Sequence, residues 1–498
     1  MNIGIIDIIS FSKKNLYSKY TNPAFHSIMP QVIGVYLKRL GHKVWYYPYF
    51  GFKDLYKDLI LDLDIVFISC YTMNAYLAYA ISNLYKKMGV ITVIGGPHAR
   101  SFPDDCKQYF DYTIGKCDHT LIQDLLSGCT LEKLDGIHLS NKEHPKQFPL
   151  LEERWEFIQQ VYTNYPRYIP KTISLISSTG CPNKCKFCID SQVKYNQLSL
   201  LDMQQDLLFL KGHSEKYNVI WHDPNFGIKL NQSLDTIEDV NADNLNLMCE
   251  LNLGKLNESI CKRLQKNNFI ALGPGLESWR SYNNKSLNES SKFKDCIDKV
   301  NYMSELLNMV NRYIPMIQVN IIFGLDIDTD IFEEEAFHAT KLFMKQAPTV
   351  YANFQTFTIF GNSTPFGKDL VKENRVLKIP YNLLDGFSIS NIVLKCDPSK
   401  FYKLYSNLLK YEKSYTLLFK KLYKFPSIYQ KLFYTLKHFT GRLNISNFDS
   451  LSSNLKINSR LSDYFNGKSD YIPSELYRTV EDELGQFKDH LPHQIFNR

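Results

Sequence analysis

Residues 177–192 have the sequence SSTGCPNKCKFCIDSQ, and the fold around them can be worked out from this stretch. Three cysteines fall within eight residues in a C-x3-C-x2-C pattern: Cys181, Cys185 and Cys188. Gly180 allows the chain to turn sharply before the first cysteine. Lys184 and Lys186 place positive charge among the thiols. The loop is therefore a candidate site for a metal ion, a metal cluster or a redox-active thiol pair.

The residues alone leave these three kinds of site open. A structural zinc ion usually takes four cysteine or histidine ligands, and neither His213 nor His222 has a typical spacing for the fourth. A thioredoxin-like pair needs only Cys185 and Cys188, which leaves Cys181 unexplained. A four-iron cluster takes thiolate ligands, and with only three of them one iron stays free to bind another molecule.

The cysteine loop follows the first of six strand-like segments that alternate with helical patterns. The segments are TISLISS (172–178), VIWHDP (219–224), LNLMCELN (245–252), FIALGPGLES (269–278), IQVNIIFGL (317–325) and YANFQTFTIF (351–360). Helices are predicted between them, for example at 199–213, 257–267 and 332–346. Six βα repeats favour a partial (β/α)6 barrel. Sites in such barrels lie at the carboxyl ends of the strands, where the cysteine loop is.

Residues 1–145 also alternate strand and helix patterns. Strands are expected at 2–9, 43–49, 64–70 and 89–96, with helices at 29–42 and 74–88. This order predicts a doubly wound, Rossmann-like sheet whose ligands bind beyond the carboxyl ends of its strands. Three loops follow such ends: SCYTMN (69–74), GGPHARS (95–101) and IGKCDH (114–119). Taken alone, they also fit ordinary strand-to-helix turns.

The chain has 498 residues, of which 44% are hydrophobic, and this length suggests roughly two to four globular domains. The predicted division is an α/β domain over 1–145, a proline-punctuated linker over 146–170, the barrel over 171–394 and a helical region over 395–498.

The remaining eight cysteines stand singly, which is not a disulfide framework and favours a reducing cytoplasm. MNIGIIDIISF resembles a first strand more than a signal peptide. No run of about 18 apolar residues predicts a transmembrane helix. The predicted localisation is cytoplasmic, with peripheral membrane association left open.

The formal charge of +7 is concentrated in residues 401–442, which contain nine Lys or Arg and one acidic residue, Glu412. Lysines alternate there with Tyr, Phe and Leu at helical spacing, and Pro426 divides the stretch into at least two helices. Three interpretations compete: helices that cap the barrel with solvated lysines, a membrane-surface contact and a nucleic-acid contact. The first is favoured, and no nucleic acid is expected.

The segment CPNKCKFC (181–188) resembles the signature of the radical S-adenosylmethionine (SAM) superfamily. This resemblance implies that Cys181, Cys185 and Cys188 hold a [4Fe-4S] cluster. The fourth iron would bind the amino and carboxylate groups of SAM, and Phe187 would pack near the adenine.

Four more segments resemble strand-end motifs of that superfamily: WHDPNFG (221–227), GPGLES (273–278), VNIIFGLDIDT (319–329) and TIFGNSTPFGKDLVKENRVL (358–377). The resemblance implies further SAM-binding residues: Asp223, Asn225, Glu277 and Ser278. Two positions depart from the usual pattern, because GNSTP replaces Pro-Gly-Thr-Pro and Asp326 replaces a proline. Asp326 and Asp328 are expected to be loop carboxylates.

The segment VIGGPHA (93–99), with FISCYT before it and DYTIGKCDHT after it, resembles the cobalamin-binding domain fused to many radical SAM enzymes. The resemblance implies a cobalamin site built from Ser69, Thr72, Gly95, Gly96, His98 and Gly115. The usual GEGE is GKCD here, and the Asp-x-His-x-x-Gly motif that supplies an axial histidine to cobalt is absent. His26 lies in the corresponding loop.

These resemblances imply a cobalamin-dependent radical SAM enzyme. A one-electron reductant of the flavodoxin or ferredoxin type would let it generate a 5′-deoxyadenosyl radical from SAM. It would then methylate an unactivated carbon of a small-molecule, lipid or natural-product substrate. Two alternatives stay open: a radical SAM enzyme without cobalamin that rearranges, cyclises or oxidises its substrate, and a non-enzymatic zinc- or cluster-binding module. The sequence does not identify the catalytic residues.

Overall fold

The computed structural model describes most of the chain. The described residues are 1–10, 26–51, 54–128, 136–164, 171–279, 293–325, 333–393, 396–425, 428–443, 445–474, 476 and 484–491. Asp326 and Asp328 lie outside them.

The first sheet has six parallel strands in the spatial order β2-β1-β3-β4-β5-β6. The strands are β1 Asn2–Ile8, β2 Lys43–Tyr49, β3 Ile65–Cys70, β4 Ile91–Gly95, β5 Tyr112–Ile114 and β6 Ile137–Leu139. β1 and β3 are almost continuous apolar runs because both of their faces are covered. The strand order changes direction between β1 and β3, which places a topological switch point there.

Helices cover both faces of this sheet. They are α1 Ile28–Arg39, α2 Leu55–Asp58, α3 Ala75–Lys87, α4 Gly96–Ser101, α5 Pro103–Cys106 and α6 His119–Gly128. Ile5 and Phe67 pack in one core with α1 and α6, whereas Ile6 and Ile68 pack in the other core with α3. Successive side chains of β1 and β3 point to opposite faces of the sheet, so these strands contribute to two hydrophobic cores.

The second sheet is an open barrel of parallel strands that follow one another in chain order. The strands are β7 Thr172–Leu175, β10 Asn218–Trp221, β11 Asn246–Cys249, β12 Phe269–Leu272, β13 Gly275–Glu277, β14 Met316–Phe323 and β15 Tyr351–Thr356. β12 and β13 pair with successive parts of β14, so six βα repeats result. A short antiparallel ribbon of β8 Ser178–Thr179 and β9 Asn196–Gln197 closes the cysteine loop.

The remaining helices surround the barrel and form the C-terminal region. They are α7 Leu151–Asn164, α8 Leu200–Lys211, α9 Leu230–Val240, α10 Glu258–Lys266, α11 Cys296–Val310, α12 Glu333–Gln346, α13 Pro365–Lys372, α14 Pro398–Glu412, α15 Tyr415–Leu422, α16 Ile428–Leu443, α17 Ile445–Ile457 and α18 Ser459–Phe465. None of the helices in the described residues has the length and apolar character that crossing a membrane requires.

The segment 146–170, predicted to be a linker, contains helix α7, which packs between the two sheets. Phe157 joins the core of the first sheet beneath Gly34, where a Cβ would lie 2.7 Å from the Phe157 ring. Ile158 joins the core of the barrel. Because α7 is apolar on two faces, it lacks the single apolar stripe by which a surface helix is recognised in a sequence.

A buried ion pair joins two helices of the helical region, and its lysine contacts the barrel. Lys421 of α15 donates a hydrogen bond to Glu412 of α14, and both side chains are almost fully buried. The Lys421 ammonium also lies 4.4 Å from the ring centroid of Tyr351, the first residue of β15. Lys421 is therefore a structural residue, unlike the solvated lysine expected for this basic stretch.

Replacing Lys421 with methionine should lower the free energy of unfolding by about 3 kcal/mol. The change leaves the Glu412 carboxylate buried, with only the Lys413 ammonium 3.7 Å away. Denaturant titration measures the effect, and Lys420→Met on the exposed neighbour should change stability by less than about 0.5 kcal/mol. Equal losses for both variants would contradict the assignment.

Candidate active site

The cysteine loop connects β7 to α8 at the carboxyl end of the barrel. Gly180 has a φ of +67°, and a Cβ there would lie 2.5 Å from the carbonyl oxygen of Lys194. Only glycine fits this turn without displacing backbone. The Ser191 hydroxyl lies 2.7 Å from the carbonyl oxygens of Cys185 and Cys188 and donates to them. These contacts fold the loop back on itself.

The three cysteines are all turned towards protein. Cys181 and Cys185 are buried and Cys188 is half-buried. Across the residues that the structure describes, no three histidine, cysteine, aspartate or glutamate side chains are grouped as ligands of one metal ion. His213, considered above as a zinc ligand, packs against Trp155 at 4.8 Å between ring centroids.

The carboxylate of Asp223 anchors the start of the cysteine loop. It is buried just beyond β10 and accepts hydrogen bonds from the amide and the hydroxyl of Ser177, both at 2.7 Å. It also accepts from the Ser178 hydroxyl at 2.5 Å. Burial raises the pKa of Asp223, and these hydrogen bonds act in the opposite direction. Asp223 thus positions the loop that carries the cysteines.

Polar atoms without protein partners are buried beside this anchor. The Asn225 side-chain oxygen accepts from the Gly227 amide at 3.1 Å, but the Asn225 amide nitrogen is buried and has no partner. The Thr179 hydroxyl and the Asn183 amide nitrogen are also buried without a hydrogen-bond partner. Because an unpaired buried donor costs free energy, a polar ligand bound here would be stabilised by these groups.

Glu277 ends β13 in an unusual backbone conformation. Its φ is +63°, which is uncommon for a residue with a side chain. A Cβ at Gly275 would contact the end of the Glu277 side chain, so a larger residue there would require that carboxylate to move. The Ser278 amide donates to the Leu276 carbonyl oxygen at 2.8 Å, and the Ser278 carbonyl oxygen accepts from Lys299. Such local strain is a property that functional sites often have.

Phe187 belongs to an apolar cluster that joins the cysteine loop to the last part of the barrel. Cys185 shares this cluster, and the other fully buried members are Leu325, Phe357, Ile359, Phe366, Leu370 and Leu384. The Phe366 amide at the start of α13 donates to the Lys186 carbonyl oxygen at 3.1 Å. Phe102 of the first domain packs against the same cluster.

The residues predicted to bind cobalamin lie near the carboxyl edge of the first sheet. Ser69 pairs with Asp7 across β3 and β1, at the switch point. Gly96 has a φ of +87°, and a Cβ there would lie 2.8 Å from the Ser69 hydroxyl. The remaining members follow the ends of β3, β4 and β5: Thr72, Gly95, His98 and Gly115. Nearby, Asn74 donates to the Ile8 carbonyl oxygen, but its own side-chain oxygen is buried without a partner.

Both histidines predicted near this edge bind protein groups. The Ser174 amide of β7 donates to Nε2 of His26 at 3.4 Å, and Gln31 lies 2.7 Å from Nδ1. His98 lies 2.6 Å from the hydroxyl of Tyr79, with Nδ1 unpartnered. Burial lowers the pKa of each histidine to about 3, so both are neutral near pH 7.

The two predicted cofactor regions face each other through α4. Arg100 donates to the Asp190 carboxylate and to the Ile189 carbonyl oxygen, both at 2.9 Å. The Ser363 hydroxyl, from the segment after β15, donates to the Ser101 carbonyl oxygen at 3.3 Å. The carboxyl edge of the first sheet therefore contacts the cysteine loop and the carboxyl end of the barrel.

Uncharged polar side chains line one face of the last barrel strands. Along β14, Gln318 and Asn320 are half-exposed, whereas the alternate residues are buried. Asn353 of β15 donates to the Asn320 side-chain oxygen at 2.9 Å, and Gln318 donates to the same oxygen at 3.4 Å. The barrel interior is therefore open and carries amides that can exchange partners.

The structure places the cysteine loop and Asp223 at the carboxyl end of the barrel and the residues predicted for cobalamin near the carboxyl edge of the first sheet, and it adds residues that the sequence did not reveal. Ser177 and Ser178 precede Gly180 and could have been noticed as partners of Asp223. Arg100 gave no signal, because its partners at 189–190 are 90 residues away.

No protein-family model matches the chain. Two curated proteins of Chlorobaculum tepidum are similar to it. Bacteriochlorophyllide d C-12(1)-methyltransferase is 20% identical over 330 residues, which cover 65% of this chain and 69% of that protein. Bacteriochlorophyllide d C-8(2)-methyltransferase is 25% identical over 291 residues, which cover 54% of this chain and 60% of that protein. The chain thus matches less than two thirds of the second relative.

Among solved structures, the fold is similar to that of the radical SAM methyltransferase TsrM from Kitasatospora setae with cobalamin and a [4Fe-4S] cluster bound. The TM-score is 0.52 at 13% identity, covering 74% of this chain and 78% of TsrM. For a structure of TsrM with tryptophan substrate and a SAM analogue bound, the TM-score is 0.52 at 14% identity, covering 75% of this chain and 76% of TsrM. The similarity confirms the predicted fold class, with its doubly wound domain, partial barrel and helical region, and it agrees with the resemblance inferred from the motifs.

Replacing Gly180 with alanine should loosen the cysteine loop, because it combines a positive φ with a backbone clash. The expected cost is about 1–3 kcal/mol, and tryptic cleavage after Lys184 and Lys186 should accelerate. Gly89→Ala is the matched control, since Gly89 has a φ of +80° and no neighbour within 4 Å of a Cβ. Unchanged cleavage in Gly180→Ala would contradict the assignment.

Asp7 should make stability depend on pH. Burial raises its pKa from 3.8 to about 6, although Ser27 and Tyr46 donate to it. The folded state therefore holds a proton up to about pH 6, whereas the unfolded chain loses it near pH 3.8. Stability should fall between these values and stay level above them.

Asp7→Asn should lack this dependence and gain up to about 3 kcal/mol over the natural chain on going from pH 4 to pH 7. Urea titrations at several pH values measure the difference. Parallel profiles for the two proteins would refute it.

Proposed function

We propose that this chain is a cobalamin-dependent radical SAM enzyme that methylates an unactivated carbon of a small-molecule, lipid or natural-product substrate. The observation that carries the proposal is the contact between the cysteine loop and the carboxyl edge of the first sheet through Arg100. Such a reaction requires the cluster site and the corrinoid site to face the same cavity. The corrinoid would supply the methyl group, and the cluster with SAM would activate the substrate.

The residues present fit a cluster and SAM. Three thiols on one glycine-turned loop are the donor set of a site-differentiated [4Fe-4S] cluster: Cys181, Cys185 and Cys188. The unpartnered donors of Asn225, Asn183 and Thr179 suit the polar groups of SAM. Glu277 and Ser278 stand at a neighbouring strand end, and Phe187 offers an apolar face for adenine.

The carboxyl edge of the first sheet offers small and polar residues that would hold a cobalamin. Ser69, Gly95, Gly96 and Gly115 are half-exposed there, and Asn74 has an unpaired oxygen. His26 is held by β7 and is not proposed as a cobalt ligand. When bound, the cluster with SAM supplies one-electron cleavage of SAM, and cobalamin supplies methyl transfer to carbon.

The chain's own residues orient the reactants and exclude water. Asp223 fixes the loop through Ser177 and Ser178, and the apolar cluster around Phe187 buries Cys185. The amides of Gln318 and Asn320 can hydrogen-bond a substrate inside the barrel. Keeping water out preserves reactive carbon radicals from side reactions.

A second candidate is a radical SAM enzyme that binds no cobalamin and rearranges, cyclises or oxidises its substrate. The specific observation in its favour is that both histidines near the corrinoid edge are engaged by protein groups, His26 by Ser174 and Gln31, and His98 by Tyr79.

Two partners belong to the proposal. A flavodoxin- or ferredoxin-type donor would reach the cluster beside Lys184 and Lys186, which are exposed on the cysteine loop and suit an anionic protein. A peripheral membrane contact would use the basic stretch 401–442.

Anaerobic reconstitution with iron and sulfide, followed by SAM, a one-electron reductant and hydroxocobalamin, tests the function. We expect 5′-deoxyadenosine by mass spectrometry and corrinoid absorbance that stays with the protein. The variant Cys188→Ser should form at least about 100-fold less deoxyadenosine than the natural chain. Cys396→Ser, another half-buried cysteine, should lose none.

The outcomes separate the candidates. Deoxyadenosine without retained corrinoid would favour the second candidate. A loss in Cys396→Ser equal to that in Cys188→Ser, or no deoxyadenosine from the natural chain, would overturn the radical SAM assignment.

A further inference from the structure

Helices α15 and α16 expose an unusual number of large apolar side chains. The described residues contain 21 exposed large hydrophobic side chains, and seven of them lie on this pair of helices and the turn between them. We call these seven the apolar face: Tyr415, Phe419, Tyr423, Ile428, Leu432, Leu436 and Phe439. Tyr423 is 88% exposed and Phe419 is 68% exposed. A group of neighbouring exposed apolar side chains indicates a binding surface, because exposed apolar residues on a protein surface are normally scattered singly.

The apolar face is continuous across the two helices. On α15 its members follow a spacing of four residues, and on α16 they lie at i, i+4, i+8 and i+11, so each helix presents one stripe. The rings of Tyr415 and Phe439 lie 6.3 Å apart between centroids, which joins the start of one stripe to the end of the other. Arg442 stacks over Tyr415 at 4.8 Å and adds a positive charge to the rim.

The opposite side of the helix pair shows which way the apolar face points. Leu418, Phe425 and Tyr434 are buried in one cluster with Tyr351, and Met316 packs against them. Tyr351 and Met316 are the first residues of β15 and β14. The pair therefore sits at the amino ends of the parallel strands, at the opposite end of the barrel from the cysteine loop.

The charges around the apolar face are of one sign. Residues 415–443 contain six Lys or Arg and no Asp or Glu. Lys421 is neutralised by Glu412 in the core, so it does not contribute to the surface. Lys420 and Lys437 are exposed, and Lys431 is half-buried at the rim. Interfaces between proteins are depleted in lysine, whereas a basic rim around exposed tyrosines, leucines and phenylalanines is typical of helices that lie on anionic lipid.

We propose that the apolar face binds the surface of an anionic lipid bilayer. Phe419, Leu432 and their neighbours would enter the interface, and Lys420, Lys431 and Arg442 would pair with lipid headgroups. The chain would then be held with its cysteine loop turned away from the bilayer. Attachment and chemistry would be separable, and this proposal does not depend on which reaction the site performs.

Co-sedimentation of the full chain with vesicles tests the proposal. We expect binding to vesicles that contain phosphatidylglycerol, weaker binding to vesicles of phosphatidylcholine alone, and loss of binding at high salt. Phe419→Ser with Leu432→Ser should weaken binding by at least about tenfold, and Lys420→Gln with Lys431→Gln by roughly fivefold for each lysine. All four side chains lie outside the buried cluster, so the fold should persist, as circular dichroism and the unfolding midpoint would report.

Matched substitutions on the barrel serve as controls. Leu201 and Leu208 of α8 are exposed to a similar degree, so Leu201→Ser with Leu208→Ser should leave vesicle binding unchanged. Lys255→Gln with Lys266→Gln, on exposed lysines outside the helical region, should also leave it unchanged. Deoxyadenosine formation should be the same in every variant.

Three results would overturn the proposal. One is no binding of the natural chain to anionic vesicles. Another is equal weakening by the barrel controls. The third is a concentration-dependent dimer in analytical ultracentrifugation that Phe419→Ser with Leu432→Ser abolishes, which would assign the face to a second copy of the chain.

Discussion

The candidate site depends on one buried carboxylate. Asp223 stands beyond β10, yet its oxygens accept three hydrogen bonds from the serines that leave β7. A carboxylate without such partners could not stay buried in its charged form. The bonds fix the chain just before Gly180, whose positive φ then directs it into the three cysteines. The start of the cysteine loop is therefore held by a contact in which no thiol takes part.

The relative position of the two sheets follows from contacts on two sides. Helix α7 contributes Phe157 to one core and Ile158 to the other, so neither core is complete without it. At the carboxyl end of β7, the Arg100 hydrogen bonds and the Ser363–Ser101 hydrogen bond join α4 to the barrel loops. His26 adds a bond to the backbone of β7 itself. Together these contacts hold the carboxyl edge of the first sheet against the cysteine loop and the barrel loops.

The sequence predicted the features that rest on local pattern. Apolar runs of the right length predict four of the six strands of the first sheet and the strands of the barrel, and spacing and position after a strand predict the cysteine loop. The features that rest on long-range pairing were not predictable in the same way. The sequence pattern does not reveal helix α7, because its apolar residues pack in two cores. It predicts a solvated Lys421, because the partner Glu412 lies on another helix. The sequence predicts Asp223 as a strand-end residue, but its role as an anchor is visible only once the structure places the serines beside it.

The amides of the last barrel strands show how the barrel interior can be polar without carrying unpaired charges there. Charged side chains would draw water into the cavity, because an ion without a partner is far more costly to bury than an amide. Asn353, Asn320 and Gln318 instead satisfy one another. A substrate with its own donors and acceptors can replace one of these bonds at little net cost, since one hydrogen bond is exchanged for another. The amides of these strands can therefore exchange a hydrogen bond with one another for a hydrogen bond with a bound molecule.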